Sequence, residues 1–168
     1  MSGFLDSLGN AAVASLVDRL VRQGQAFGGT SGKLTLGAAG NAGVALWNPS
    51  NSGKLVCVYG VQALADVAVA FGVVASLTAS PGWTAVSVLN KHRTSAITPG
   101  AAMQATNSAG AAPAAGNTSD VFSLEAGKLF QWMPEVAEVL LPPGTGMMLW
   151  LPLGAAGNVA VNLDWLEW

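Results

Sequence analysis

The chain has 168 residues, of which 51% are hydrophobic and 10% charged, with a formal net charge of −2. That length holds one domain with a real core, and the composition excludes a disordered chain, which needs high charge and low hydrophobicity. Seven dispersed cations cannot neutralise a row of phosphates, so nucleic acid is not an expected partner. So little charge on so small a chain leaves apolar surface for another protein to cover.

Residues 1–24 read as an amphipathic helix. Phe4, Leu5, Leu8, Ala12, Val13, Leu16, Val17, Leu20 and Val21 recur at helical spacing, and Gly24 supplies a stop. The apolar arc covers more than half the circumference, wider than a helix lying on one domain face needs. Leu5, Leu8, Leu16 and Leu20 are therefore interface candidates, for attachment or oligomerisation. Residues 25–42 are rich in Gly, Ser and Thr and read as a linker, with one short strand at Lys33–Leu36.

From Gly43 the texture is that of strands. Val44–Trp47 ends at Asn48-Pro49, and Ser50-Asn51-Ser52-Gly53 makes a turn before a long strand over Lys54–Leu64. Val67, Val69 and Phe71 alternate with small residues, and Thr84–Asn90 follows the Pro81-Gly82 turn. Residues 97–118 read as a long loop with a short strand at Ala102–Thr106. Val121–Leu124, Leu129–Met133, Glu138–Leu141, Met147–Leu151 and Val159–Trp165 complete the strands. In the last, Val159, Val161, Leu163 and Trp165 share a core face; the other face ends on Leu166 and Trp168, which should meet something apolar. Short strands between regular turns predict a mainly β fold over residues 43–168. The expected form is an antiparallel, jelly-roll-like β-sandwich of about eight strands behind one N-terminal helix.

No membrane span is expected. Residues 67–90 and 139–163 lack charge, but Pro and Gly interrupt both. The N-terminus lacks the basic region of a secretory signal. One cysteine and one histidine exclude an intrachain disulfide and multi-cysteine or multi-histidine metal sites, and Cys57 sits in an apolar run that suits a buried thiol. No cofactor is expected. Lys91-His92-Arg93 has no carboxylate beside it in sequence, Glu135 and Glu138 read as solvated, and no nucleophile elbow or phosphate loop occurs, so the chain does not read as an enzyme.

Four segments carry a family resemblance. They are Val44 to Val58 with Asn48-Pro49 and Ser52-Gly53-Lys54; Thr98-Pro99-Gly100 with Asn107-Ser108-Ala109-Gly110; Leu140-Leu141-Pro142-Pro143-Gly144-Thr145-Gly146; and Gly157 to Trp168. In this order they resemble small jelly-roll structural proteins of tailed bacteriophages, the first looking like those proteins' first hairpin. The resemblance covers about residues 40–168. It implies a virion subunit, either head decoration (cement) or head fibre, or a tail receptor-binding tip, often a homotrimer. Its partners would be its own copies and the major capsid or another virion protein. Of the six tryptophans, Trp165 is assigned to the core, and Trp150 and Trp168 to an interface along with Leu166. The alternative is adhesion, with Trp83 and Trp132 as a stacking platform for host surface glycan.

Overall fold

The structure, a computed structural model, describes residues 16–37, 41–109, 120–133, 139–151 and 156–168. Among the described residues a helix α1 (16–22) precedes twelve strands. In chain order they are β1 (Ala26–Leu36), β2 (Asn41–Asn48), β3 (Val56–Ala65), β4 (Val69–Leu77), β5 (Thr84–Ala85), β6 (Val88–Asn90), β7 (Ala102–Ala109), β8 (Asp120–Leu124), β9 (Leu129–Trp132), β10 (Leu140–Leu141), β11 (Thr145–Leu151) and β12 (Gly157–Glu167). Every pairing is antiparallel. The first sheet runs β6-β1-β12-β3, with β9 and β10 both on the far side of β3; the second runs β5-β7-β2-β11-β4-β8.

Eight of these strands form the frame. First pairs with last (β1 with β12), second with seventh (β2 with β11), third with sixth (β3 with β9) and fourth with fifth (β4 with β8). That is one long hairpin rolled over on itself, the arrangement of a jelly roll. Among the described residues the strand count is twelve rather than about eight, because four strands are additions. β7 and β5 extend the second sheet beyond β2, β6 extends the first beyond β1, and β10 pairs with β3 beside β9.

Three expectations need correction. Residues 25–42 are not a linker: β1 lies between β12 and β6, with Phe27 fully buried. Its glycines make room for neighbours. A Cβ on Gly28 would run into Asp164 and Lys91, and one on Gly29 into Met103. Residues 44–58 are not a hairpin, because β2 and β3 belong to different sheets and the turn between them crosses the sandwich. Thr84–Asn90 is likewise split into β5 and β6, one in each sheet.

The core fills the space between the sheets. Val159, Val161, Leu163 and Trp165 are buried on one face of β12, as their alternation predicts. Trp165 stacks on Phe27 with ring centroids 6.2 Å apart. Phe71, Phe122 and Phe130 form a second aromatic group, with centroids 5.2–5.4 Å apart. Cys57 is buried, and burial pushes its thiol pKa up.

Candidate interaction surfaces and the latch between them

At one end of the sandwich two turns cross from sheet to sheet, 49–55 and 142–144. Asn48 joins them. Its side-chain nitrogen donates to the carbonyls of Lys54 (2.8 Å) and Leu141 (2.9 Å), and its backbone carbonyl accepts from Gly144 N (2.8 Å). Gly144 has φ +81°, a conformation most side chains resist, so this turn needs glycine. Lys54 then reaches Glu167, a carboxylate with 1% exposure. Glu167 Oε2 accepts from Lys54 Nζ (2.8 Å) and Gly100 N (2.7 Å); Oε1 accepts from Ala101 N (3.0 Å) and Trp165 Nε1 (3.0 Å). Leu55 and Trp168 exchange backbone hydrogen bonds beside it.

Burial alone would push this carboxyl up. The Lys54 ammonium, the two backbone donors and the indole outweigh it and hold the group below the ordinary glutamate value. The Asn-Pro turn, the Thr-Pro-Gly loop, the Pro-Pro-Gly turn and the final strand thus meet in one polar network. Every partner of the carboxylate is a donor: Lys54, Gly100 and Ala101 tie two loops to the final strand, and Trp165 fixes the carboxylate from within it.

The apolar end of the other β12 face is covered by the chain itself. Leu20 and Ala26 pack with Leu166, and Leu16, Val17, Val21 and Tyr59 close around them. Leu16, Leu20 and Leu166 therefore share one seat within the chain, while Leu5 and Leu8 lie outside the described residues. Burial and then the nearby Asp164 charge push the Tyr59 phenol up. Asp164 pairs with Lys91 at 2.5 Å, which places one cation of the Lys91-His92-Arg93 cluster on the first sheet. Glu135 and Glu138 lie outside the described residues.

The outer face of the second sheet carries indoles. Trp150, Met148, Val74 and Ala45 form a buried cluster there, with Leu77 and Trp83 packed on it. Trp83 lies over Gly43, and its backbone N donates to Gln104 Oε1 at 3.2 Å. Trp132 sits elsewhere: it faces the core from β9, 5.2 Å from Phe122. The two tryptophans proposed as a platform are therefore not brought together. Trp168 is 44% exposed. A Cβ at position 43 would collide with the Trp83 ring, so Gly43→Ala is expected to expel that ring. The check is iodide quenching of fluorescence, which should rise in Gly43→Ala but not in Gly43→Ala/Trp83→Phe, with far-ultraviolet circular dichroism unchanged.

Among the described residues no three His, Cys, Asp or Glu side chains come together to hold a metal ion, and no helix is long and apolar enough to cross a membrane. No family model, curated protein or solved structure matches this chain.

Proposed function

We propose that this chain is a structural subunit of a tailed-bacteriophage virion, a capsid decoration (cement) or head-fibre protein that stabilises or adorns the particle through apolar subunit contacts. The observation that supports this most is the latch: four segments that resemble phage jelly-roll proteins, scattered along the sequence, close one end of one jelly-roll frame. Viral capsid proteins are among the recurrent users of this architecture, along with lectins and cupins, and fold alone does not choose among them. Charge-poor outer faces with exposed leucines suit burial against neighbours. The resemblance implies a homotrimer on the shell, with the major capsid or another virion protein as partner.

Glycan adhesion draws less support, since Trp132 is turned into the core and only Trp83 stays near a surface loop. The test is sedimentation of purified protein with phage particles that lack it, alongside light scattering. Saturable co-sedimentation and a self-associated species are expected. A monomer that stays in the supernatant would overturn the reading, and glycan-array hits lost in Trp83→Ala would replace it with adhesion.

A further inference from the structure

The cations of this chain gather at one end of the sandwich. Three connections cross between the sheets at the end where Glu167 sits: 49–55, 91–101 and 142–144. The 91–101 loop also holds the last turn of α1. Asn90 Nδ2 donates to the carbonyls of Gly24 (2.8 Å) and Ile97 (3.0 Å), and Lys91 N donates to that of Ala26 (2.8 Å). This end therefore collects Arg19, Arg22, Lys54, Lys91 and Arg93, five of the seven cations of the sequence. Lys33 and Lys128 lie toward the other end, beside Asp66 and Glu125 respectively.

Three of the five already face a carboxylate: Lys54 with Glu167 (2.8 Å), Lys91 with Asp164 (2.5 Å) and Arg22 with Asp18 (2.9 Å). Arg19 and Arg93 are exposed and make no ion pair with a described residue. Arg19 and Arg22 suit the carbonyl end of a helix. Arg93 has no such reason for its place: it lies in the 92–95 turn, which Ser95 N closes on the His92 carbonyl (2.8 Å). Apolar groups stand at the same end, with Ile97 45% and Trp168 44% exposed. A basic end on a chain of net charge −2 gives the molecule a charge direction, which orients its approach to a negative surface.

We infer that this end docks on an acidic protein surface of the particle, with Arg19 and Arg93 meeting carboxylates there. The inference rests on the virion-subunit reading and adds which end of the subunit faces the particle and what chemistry receives it. Arginine matches a carboxylate with two parallel hydrogen bonds. Arginines together with an indole are the groups that carry protein interfaces. A phosphate polymer would find only two unanswered cations here, too few for counterion release to hold it. The placement also agrees with α1, whose apolar side is spent on the sheet and whose charged side is left outward at this end.

The test uses the full chain and particles that lack it, with co-sedimentation at low ionic strength and at about 0.5 M salt. Arg19→Glu/Arg93→Glu should weaken binding about a hundredfold at low ionic strength. Lys33→Glu/Lys128→Glu makes the same change of net charge at the other end and should stay within about twofold of wild type, since screening confines the effect to nearby charges. Wild-type binding should itself fall about tenfold at the higher salt. Circular dichroism and melting curves confirm that each variant is folded.

Equal losses in the two double variants would make total charge, not this end, responsible and overturn the inference. Wild-type binding that is indifferent to Arg19→Glu/Arg93→Glu and to salt overturns this end and leaves the virion-subunit reading intact. A wild type that binds particles at neither salt overturns both. Retention on heparin in place of particle binding, lost in Arg19→Glu/Arg93→Glu, gives the end to a polyanion and overturns the acidic protein partner.

Discussion

Glu167→Gln should lower the folding free energy by about 3 kcal/mol at neutral pH, the largest single-atom effect expected in the molecule. The side chain keeps its shape and its burial. What changes is the matching of donors to acceptors. Lys54 Nζ and Gly100 N approach one oxygen, Ala101 N and Trp165 Nε1 the other. All four are donors. Whichever way the amide turns, its NH₂ faces two of them, and those two donors lose their acceptor. For a domain of this size the loss corresponds to a fall in Tm of roughly 6–12 °C. Urea unfolding followed by tryptophan fluorescence measures it directly, and an unchanged m-value would show that the same surface is exposed on unfolding.

The effect depends on pH with a definite sign. The folded carboxyl ionises below the ordinary value of 4.5. Its contribution is therefore complete above the unfolded pKa and is lost as pH falls through the folded one. Wild type and Glu167→Gln should converge in stability as the pH is lowered below about 4.5 and stay well separated above pH 6. Equal separation at all pH values would mean that the ionised form is not what holds the loop. Lys54 is one-third exposed, so Lys54→Met should cost less, about 1 kcal/mol.

The position of Glu167 was written in the alternation of β12. Continuing the phase of Val159, Val161, Leu163 and Trp165 places residue 167 on the core side. A carboxylate looks misplaced there until its four donors are known, and two of those come from residues 100 and 101, far away in sequence. The same distinction runs through the fold. Strand existence was legible from period-two patterning and from Pro and Gly between the runs, because those signals are local. Sheet membership was not, because β1 finds its partner at the opposite end of the chain. Asn48-Pro49 to Gly53-Lys54 contains ordinary turn residues, and turn chemistry is the same whether the chain folds back on one sheet or crosses to another. Gly28 and Gly29 read as flexible linker because the neighbours that crowd them, Asp164, Lys91 and Met103, are remote in sequence. For the tryptophans, proximity to a loop was a poor guide to exposure. Trp132 stands beside a loop in sequence, but strand phase turns it toward Phe122.

Leu20→Asp should detach α1 from the sandwich and leave the frame folded. Leu20 is 5% exposed and packs on Ala26 and Leu166. A carboxylate in that seat has no donor arranged for it, so it draws the helix toward water. Arg19 and Arg22 lie in α1, and Arg22 is held by Asp18 at 2.9 Å on the exposed side. Trypsin should therefore cut at Arg19 and Arg22 rapidly in the variant and slowly in the wild type. The fragment beginning near β1 should stay resistant and keep its β circular dichroism. Uncovering Leu166 and Ala26 should cost the whole chain about 2–4 kcal/mol. If the protease pattern and the melting curve were both unchanged, α1 would not be a docked part of this domain. The outcome also constrains attachment to a virion. A docked α1 spends its Leu16 and Leu20 side on its own sheet, so any contact it makes with a shell must use the side that bears Asp18, Arg19 and Arg22. Arg19→Glu/Arg22→Glu should then reduce co-sedimentation with particles while leaving the melting temperature within a few degrees of wild type, the separation expected when the inner side builds the fold and the outer side meets the partner.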